Sequence, residues 1–199
     1  MDNPTISDML SLPTRQLTLL SILTALCIGF QLTPRPPNVE FTSLIVFLVG
    51  ALYGIPIGAG LGISVMFING FFSPWGFGGL NIPFQIIGMA MIGIGGGLYK
   101  REKAGSYDVS SFVETAILGA FLTLVYDIIT NLGFAVTLWL AGTPILIAII
   151  TAMISGAPFS LIHIVSNTIV FAVLFFPVTN TLRKLLGGEH HWKREPLLT

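Results

Sequence analysis

The chain has 199 residues, of which 53% are hydrophobic and only 9% are charged, and its mean hydropathy is +0.87. Soluble domains average about 25% charged residues, so this composition favours an integral membrane protein over a soluble one. The formal net charge of zero gives no support to nucleic-acid binding, and the single cysteine, Cys27, excludes an internal disulfide and a cysteine metal cluster.

Six apolar segments are predicted to be helices. In chain order they are residues 17–33, 41–53, 55–68, 83–99, 112–140 and 158–176. The second and third are short, since each reaches about 20 Å at ~1.5 Å per residue, whereas the hydrocarbon core is ~30 Å thick. They form either one long helix kinked at Pro56, which gives five spans, or two abutting helices, which give six.

The basic residues decide between five and six spans, because short loops rich in Lys and Arg stay in the cytoplasm. Eight of the nine fall before the first segment, in one interior loop and in the tail: Arg15, Lys100, Arg101, Lys103, Arg183, Lys184, Lys193 and Arg194. Only six spans put all eight on one side and leave Arg35 outside. We therefore predict an all-α, multi-pass protein of the cell membrane with six transmembrane helices and both termini in the cytoplasm. Its parts are a cytoplasmic N-terminal segment at 1–14, a membrane domain at 15–186 and a cytoplasmic tail at 187–199.

The last apolar region is longer than one span. From Leu146 to Phe176 it has 31 residues, or ~46 Å as a helix, which is too long for one untilted crossing. We predict a break at residues 155–158, with Pro158 in the first turn of the sixth helix. Residues 142–154 would then form an outer loop or a short helix folded back on the protein.

Polar residues of the fifth and sixth helices are predicted to meet in the outer half of the membrane. Asp127 and Asn131 are one turn apart on the fifth helix, and His163 and Asn167 are one turn apart on the sixth. Because the two helices run in opposite directions, all four side chains come to a similar depth. Such groups are costly to expose to lipid, so they should face the bundle interior or a water-filled cavity.

We therefore predict a ligand cavity that opens to the outside. Aromatic rings would stack a flat ligand and amides would orient it. The residues predicted to bind it are Trp75, Asn81, Gln85, Tyr126, Asp127, Asn131, His163 and Asn167. With one carboxylate and no Lys or Arg expected in the cavity, the ligand would be neutral or cationic rather than multiply anionic.

Structural roles are the alternative for several of these residues. Asp127 and His163 would then pair only with each other, while Asn131 and Asn167 would bond between helices. Trp75 lies where interfacial aromatic belts are also expected. Glu40 either bonds Arg35 across its own loop or contacts the ligand, and the structural role is favoured.

Small residues recur at every fourth position in two places. Ser21, Ala25 and Gly29 form a smooth stripe on the first helix, which serves either packing within the bundle or docking of another membrane protein. The second set is predicted to serve packing between helices and consists of Gly50, Gly54, Gly58 and Gly62.

Several motifs occur in a recognisable order from Arg15 to Leu186. They are Pro37-Asn38-Val39-Glu40-Phe41-Thr42, the glycine-rich junction of segments two and three, Pro83-Phe84-Gln85, Tyr126-Asp127-Ile128-Ile129-Thr130-Asn131, and Gly156-Ala157-Pro158-Phe159 followed by His163 and Asn167. In this order they resemble the substrate-capture S components of energy-coupling-factor (ECF) vitamin transporters.

The resemblance implies a six-helix bundle that binds a vitamin or similar micronutrient from the outside. Outer loops one, three and five would surround the ligand with helices four to six, which adds Asn38 to the predicted binding residues. A small-residue A-x-x-x-A stripe on helix one of the family meets a transmembrane coupling subunit, and this chain has Ala25 and Gly29 at the corresponding positions.

The resemblance also implies two ATPase subunits on separate chains. This sequence has no glycine-rich phosphate loop ending in Gly-Lys-Ser/Thr, so ATP hydrolysis is expected on those partners. The chain is therefore not expected to be an enzyme or to need a cofactor or a metal. Its expected partners are the micronutrient, the coupling and ATPase subunits and membrane lipid, with no nucleic acid.

Two other functions stay open, a solitary vitamin transporter and a structural scaffold that resembles the MreD-like cell-shape proteins. Catalysis is disfavoured, because an intramembrane metalloprotease needs several His and carboxylate ligands. The predicted spans offer one His and one Asp.

Overall fold

The computed structural model describes residues 14–102 and 111–185, which form six α-helices, one 3₁₀ turn and no β-strand. The α-helices are α1 (Thr14–Leu32), α2 (Thr42–Tyr53), α3 (Ile55–Phe72), α4 (Ile82–Glu102), α5 (Ser111–Leu140) and α6 (Ile145–Leu185). The 3₁₀ turn, Gly79–Asn81, leads directly into α4. The predicted all-α fold is confirmed. The predicted terminal segments lie outside the described residues except for Thr14, and so does Lys103 of the interior basic loop.

Four of the described helices, α3 to α6, are long and apolar enough to cross a membrane. The mean hydropathy of their most apolar windows lies between 1.5 and 2.2. Helices α1 and α2 are shorter apolar helices. These features fit a multi-pass membrane protein, while six crossings with both termini in the cytoplasm stay a prediction.

The junction between α2 and α3 consists of two abutting helices rather than one kinked helix. Gly54 lies between them with φ +96°, a left-handed conformation that favours glycine. Its N–H closes α2 by donating to the carbonyl oxygen of Gly50 at 2.8 Å. Pro56 occupies the first turn of α3, where the missing N–H has no intrahelical partner to lose. The residue types at this junction therefore separate the two helices.

Helix α2 is a core element. Ten of its 12 residues are buried, and it packs chiefly against α4 and also against α3 and α6. The ring of Phe47 lies 5.3–5.8 Å from the rings of Tyr99, Phe171 and Phe175. Because α2 is only ~18 Å long at ~1.5 Å per residue, its burial among longer helices shields a segment that is too short to span lipid alone.

Glycines allow α4 to contact the backbones of α2 and α3. A Cβ atom at Gly50 would lie 2.1 Å from the carbonyl oxygen of Gly93, and one at Gly58 would lie 2.8 Å from the same oxygen. A Cβ at Gly62 would lie 2.6 Å from the carbonyl oxygen of Met89. The packing role predicted for these glycines agrees with the structure, whereas Gly54 serves the turn.

The predicted break before the sixth helix is wrong. Helix α6 continues over 41 residues, and Pro158 lies inside it. The connection from α5 instead runs through residues 141–144, where Gly142 has φ +97°. Proline removes one backbone hydrogen bond, but a loop would leave many more backbone groups without partners in apolar surroundings. An uninterrupted helix is therefore the less costly conformation for this apolar segment.

We predict that Gly50→Ala destabilises the bundle, because the added methyl group collides with the backbone of α4. Overpacking of this kind costs about 1–3 kcal/mol. The melting temperature of the protein purified in detergent should therefore fall.

Gly29→Ala is the matched control, since a Cβ atom there meets nothing within 4 Å. Alanine is also favoured over glycine within helices by about 1 kcal/mol. Equal melting temperatures for the two variants would contradict the tight α2–α4 contact.

Candidate functional site

Polar side chains pair along the contact between α5 and α6. His163 Nδ1 lies 2.8 Å from Asp127 Oδ1, and the Asn131 amide lies 3.4 Å from Ser160 Oγ. On the other side of His163, the Asn167 amide donates to Thr123 Oγ1 at 3.0 Å. The residue numbers of these pairs rise along α5 while they fall along α6, so the two helices are antiparallel. The predicted meeting of polar residues from antiparallel helices agrees with this register.

His163 joins two carboxylates. Its Nε2 atom lies 3.4 Å from Glu40 Oε1, on the side of the ring opposite to Asp127. The three residues are only 5–6% exposed. A doubly protonated imidazole donates to both carboxylates, whereas a neutral one has a single N–H. The geometry therefore suits an imidazolium between two carboxylates.

Glu40 also organises the start of α2. Its carboxylate accepts the backbone N–H of Ser43 at 3.0 and 3.2 Å and the amide of Asn167 at 3.2 Å. Burial opposes ionisation of Glu40, but the hydrogen bond and charge of His163 and the bonds from Ser43 outweigh it and lower the pKa of Glu40 to about 2. A carboxylate at this position also complements the positive end of the helix dipole.

The expected pairing of Glu40 with Arg35 is not found among the described residues. Arg35 instead donates to the carbonyl oxygen of Val39 at 2.7 Å and to the side chain of Gln31. Both bonds fold the guanidinium back onto its own loop and the end of α1.

Asn38 holds the same loop against α6. It has φ +61°, which asparagine tolerates better than most residues. Its side-chain amide donates to the carbonyl oxygen of Phe159 at 2.9 Å, and its own carbonyl oxygen accepts the hydroxyl of Ser166 at 2.9 Å. The contacts of Asn38 are thus structural, although it also borders the cavity described next.

A cavity of about 360 Å³ lies beside the Glu40–His163–Asp127 network. Eight of the nine predicted binding residues line it: Asn38, Trp75, Asn81, Gln85, Tyr126, Asp127, Asn131 and His163. The ninth, Asn167, is fully buried beside the network and does not line the cavity. Pockets for drug-sized ligands occupy about 300–1,000 Å³, so this volume suits a small molecule.

The expectation of a cavity without Lys or Arg is wrong. Arg35, which is half-buried, lines the cavity together with Gln31 and Glu40. Neither Gln31 nor Glu40 was among the predicted binding residues, and Arg35 was considered only for topology and as a partner of Glu40. The available signal for Arg35 was its position, because it is the one basic residue outside the three clusters.

Three residues that line the cavity each have a side-chain oxygen without a hydrogen-bond partner in the described part of the chain. Within the described part of the chain, Asp127 Oδ2, Asn81 Oδ1 and Gln85 Oε1 are buried and make no hydrogen bond. A buried polar atom without a partner is costly, so each is a point at which water or ligand would be stabilising.

Aromatic residues differ in how firmly they are held at the cavity. The ring of Tyr126 meets that of His163 edge to face at 5.7 Å, and its hydroxyl lies 3.7 Å from the sulfur of Met66. Trp75 and Phe77, on the loop before α4, are 62% and 68% exposed. Tyr126 is therefore part of the fixed wall, while Trp75 and Phe77 lie at the open side.

The small-residue stripe of α1 points away from the other described helices. Ser21, Ala25 and Gly29 are all exposed, and a Cβ atom at Gly29 would meet nothing within 4 Å. The opposite side of α1 carries the buried Thr24 and Cys27. Of the two interpretations, packing within the bundle is therefore wrong for the described part, and docking stays a prediction.

Comparisons with protein-family models, with curated proteins and with solved structures find no match for this chain. Among the described residues, no group of three His, Cys, Asp or Glu side chains is arranged to hold a metal ion.

We predict that His163→Ala is strongly destabilising, because it leaves Glu40 and Asp127 as unpaired carboxylates in a buried place. Breaking a buried charge pair typically costs about 3–5 kcal/mol. Thermal melting of the purified protein measures the loss.

The matched comparison is the triple variant Glu40→Gln, Asp127→Asn, His163→Ala, which has no charge left in the network. It should melt above the single variant, since the coupling between neighbouring sites is not additive. A triple variant that melts below the single one would show that charge pairing is not what holds these residues together.

Proposed function

We propose that this chain is the substrate-capture subunit of an importer, binding a vitamin-like micronutrient from outside the cell. The proposal rests on the cavity of about 360 Å³, which is lined by residues whose buried polar atoms lack partners within the described part of the chain. Polar groups at membrane depth are costly and are retained mostly where they have a function. A structural scaffold has no need of such a cavity.

The proposed orientation puts the cavity toward the outside. Arg35, the loop that carries Trp75, and the α5–α6 connection would lie on the outer side, and the basic clusters would lie in the cytoplasm. In this orientation the micronutrient passes Trp75 and Phe77 and reaches the polar wall formed by α4, α5 and α6. The outer loop would close over the bound molecule.

Delivery into the cell would need other subunits. By the resemblance to ECF S components, the whole chain would tilt in the membrane when a coupling subunit and two ATPases change state. The exposed stripe of Ser21, Ala25 and Gly29 supports this assignment, because its small side chains allow close approach of a partner helix. ATP would be hydrolysed on the partner chains.

The test of capture is binding by the purified protein. We predict that at least one member of a panel of water-soluble vitamins raises the melting temperature, or that native mass spectrometry finds a retained small molecule. Thr130→Phe should weaken the binding at least tenfold, because Thr130 lines the cavity and the larger ring would fill part of it.

Thr137→Phe is the matched control on the same helix. Both threonines donate back to a helix carbonyl oxygen at 3.2 Å, but Thr137 does not line the cavity. Its affinity should stay within threefold of the unmodified protein. If nothing binds and nothing is retained, or if both variants bind equally well, the proposed function is wrong.

The orientation has a separate test. With Cys27 replaced by alanine, a cysteine introduced by Ala141→Cys in the α5–α6 connection should react with a membrane-impermeant maleimide in intact cells. A green fluorescent protein fused to the C-terminus should fluoresce in the cytoplasm of a bacterial host. Labelling that requires permeabilised cells, or a dark fusion, would contradict the proposed topology.

A further inference from the structure

We infer that the ligand of this cavity presents a hydrogen-bond donor, an N–H or an O–H group, to the carboxylate of Asp127. The inference rests on the proposed function and adds the chemical class of the captured molecule. It follows from how the hydrogen-bonding groups around Asp127 are used.

The Asp127 carboxylate is only half satisfied by the protein. Its residue is 5% exposed, and Oδ1 is 2.8 Å from His163. The second oxygen, Oδ2, is buried without a hydrogen-bond partner in the described part of the chain. An ionised carboxylate accepts hydrogen bonds only, so the partner that Oδ2 lacks must be a donor.

Several neighbouring donors already have partners. Both ring nitrogens of His163 face carboxylate oxygens, and the amide nitrogen of Asn167 contacts Glu40 and Thr123. Arg35 uses two of its N–H groups for Val39 and Gln31. The Ser160 hydroxyl lies near the Asp127 carboxylate but makes no hydrogen bond to Oδ2. A molecule that enters the cavity can therefore supply the missing donor.

The side-chain amides of Asn81 and Gln85 can also bind a ligand, but they do not select between donor and acceptor groups. Asn81 and Gln85 line the cavity, and the side-chain oxygens of both lack partners among the described residues. An amide can both donate and accept, so these two groups orient a ligand but do not select its charge. Asp127 makes that selection, because it rejects an acceptor and attracts a donor.

The charged residues that line the cavity limit the ligand further. Glu40 and Asp127 bring two carboxylates to His163, so an anionic group placed there would be repelled. Arg35 lines the same cavity, and Arg has more N–H groups than the two bonds it makes. An acidic group on the ligand is therefore compatible with binding if it lies toward Arg35 while a donor group faces Asp127.

The test uses two sets of probes on the purified protein in detergent, with affinity measured by calorimetry. The first set carries donor groups: thiamine, pyridoxamine, riboflavin, biotin and hypoxanthine. The second has no donor group at neutral pH: nicotinate and lipoate. Binding should be confined to the first set, and Asp127→Asn should weaken the tightest binder at least tenfold.

Glu114→Gln is the control for Asp127→Asn, since it removes a carboxylate from the same helix at a residue that does not line the cavity. Its affinity should stay within twofold. If Asp127→Asn fails to fold, the selectivity of the unmodified protein between the two probe sets decides the question.

The two proposals fail in different ways. Binding of probes from the second set, or an Asp127→Asn affinity within threefold, would overturn the inference while leaving a substrate-capture subunit in place. Absence of binding by every probe, with no small molecule retained in native mass spectrometry, would overturn the capture function and this inference with it.

Discussion

The site depends on one buried interaction, the contact of His163 with the carboxylates of Asp127 and Glu40. Removing three ionisable groups from water is costly, and it is tolerated here because each satisfies another. The three residues come from α6, α5 and the loop before α2. Their mutual attraction therefore fixes three separate parts of the chain around one side of the cavity. Asn167 strengthens the arrangement by donating to both Glu40 and Thr123.

Close helix packing at glycine residues positions the side of the cavity that lies at the start of α4. Because Gly50, Gly58 and Gly93 allow backbone contact, α4 lies directly against α2 and α3. That position brings the 3₁₀ turn that leads into α4 beside α5, where a Cβ atom at Gly133 would lie 2.1 Å from the Asn81 side-chain oxygen. Helix α4 carries Gln85 one turn after Asn81. The glycine contacts of α4 thus determine where the side-chain amides of Asn81 and Gln85 lie.

Local patterns in the sequence predicted the helices and their polar faces better than they predicted contacts between residues far apart in the chain. Hydropathy located the helices, and the four-residue spacing of polar groups on α5 and α6 predicted their meeting. The continuous α6 was missed because proline interrupts helices in water more readily than in apolar surroundings, where every backbone group needs a partner. The partners of Glu40 were missed because loop residues find partners far away in sequence, as Glu40 does with Asn167, 127 positions later.

The two loops beside the cavity are held in different ways, and this decides where a ligand can pass. The loop before α2 is fixed to α6 through Asn38 and Glu40, so moving it means breaking the buried charge network. The loop at 73–81 makes its described hydrogen bonds within residues 69–81. None of these bonds reaches α5 or α6, so a shift of this loop would leave the hydrogen bonds of those helices intact. Trp75 and Phe77 lie on this second loop and are largely exposed. A ligand that occupies the cavity could therefore bury part of their apolar surface, which is favourable. The least costly path to Asp127 therefore runs past Trp75 and leaves the His163 contact intact.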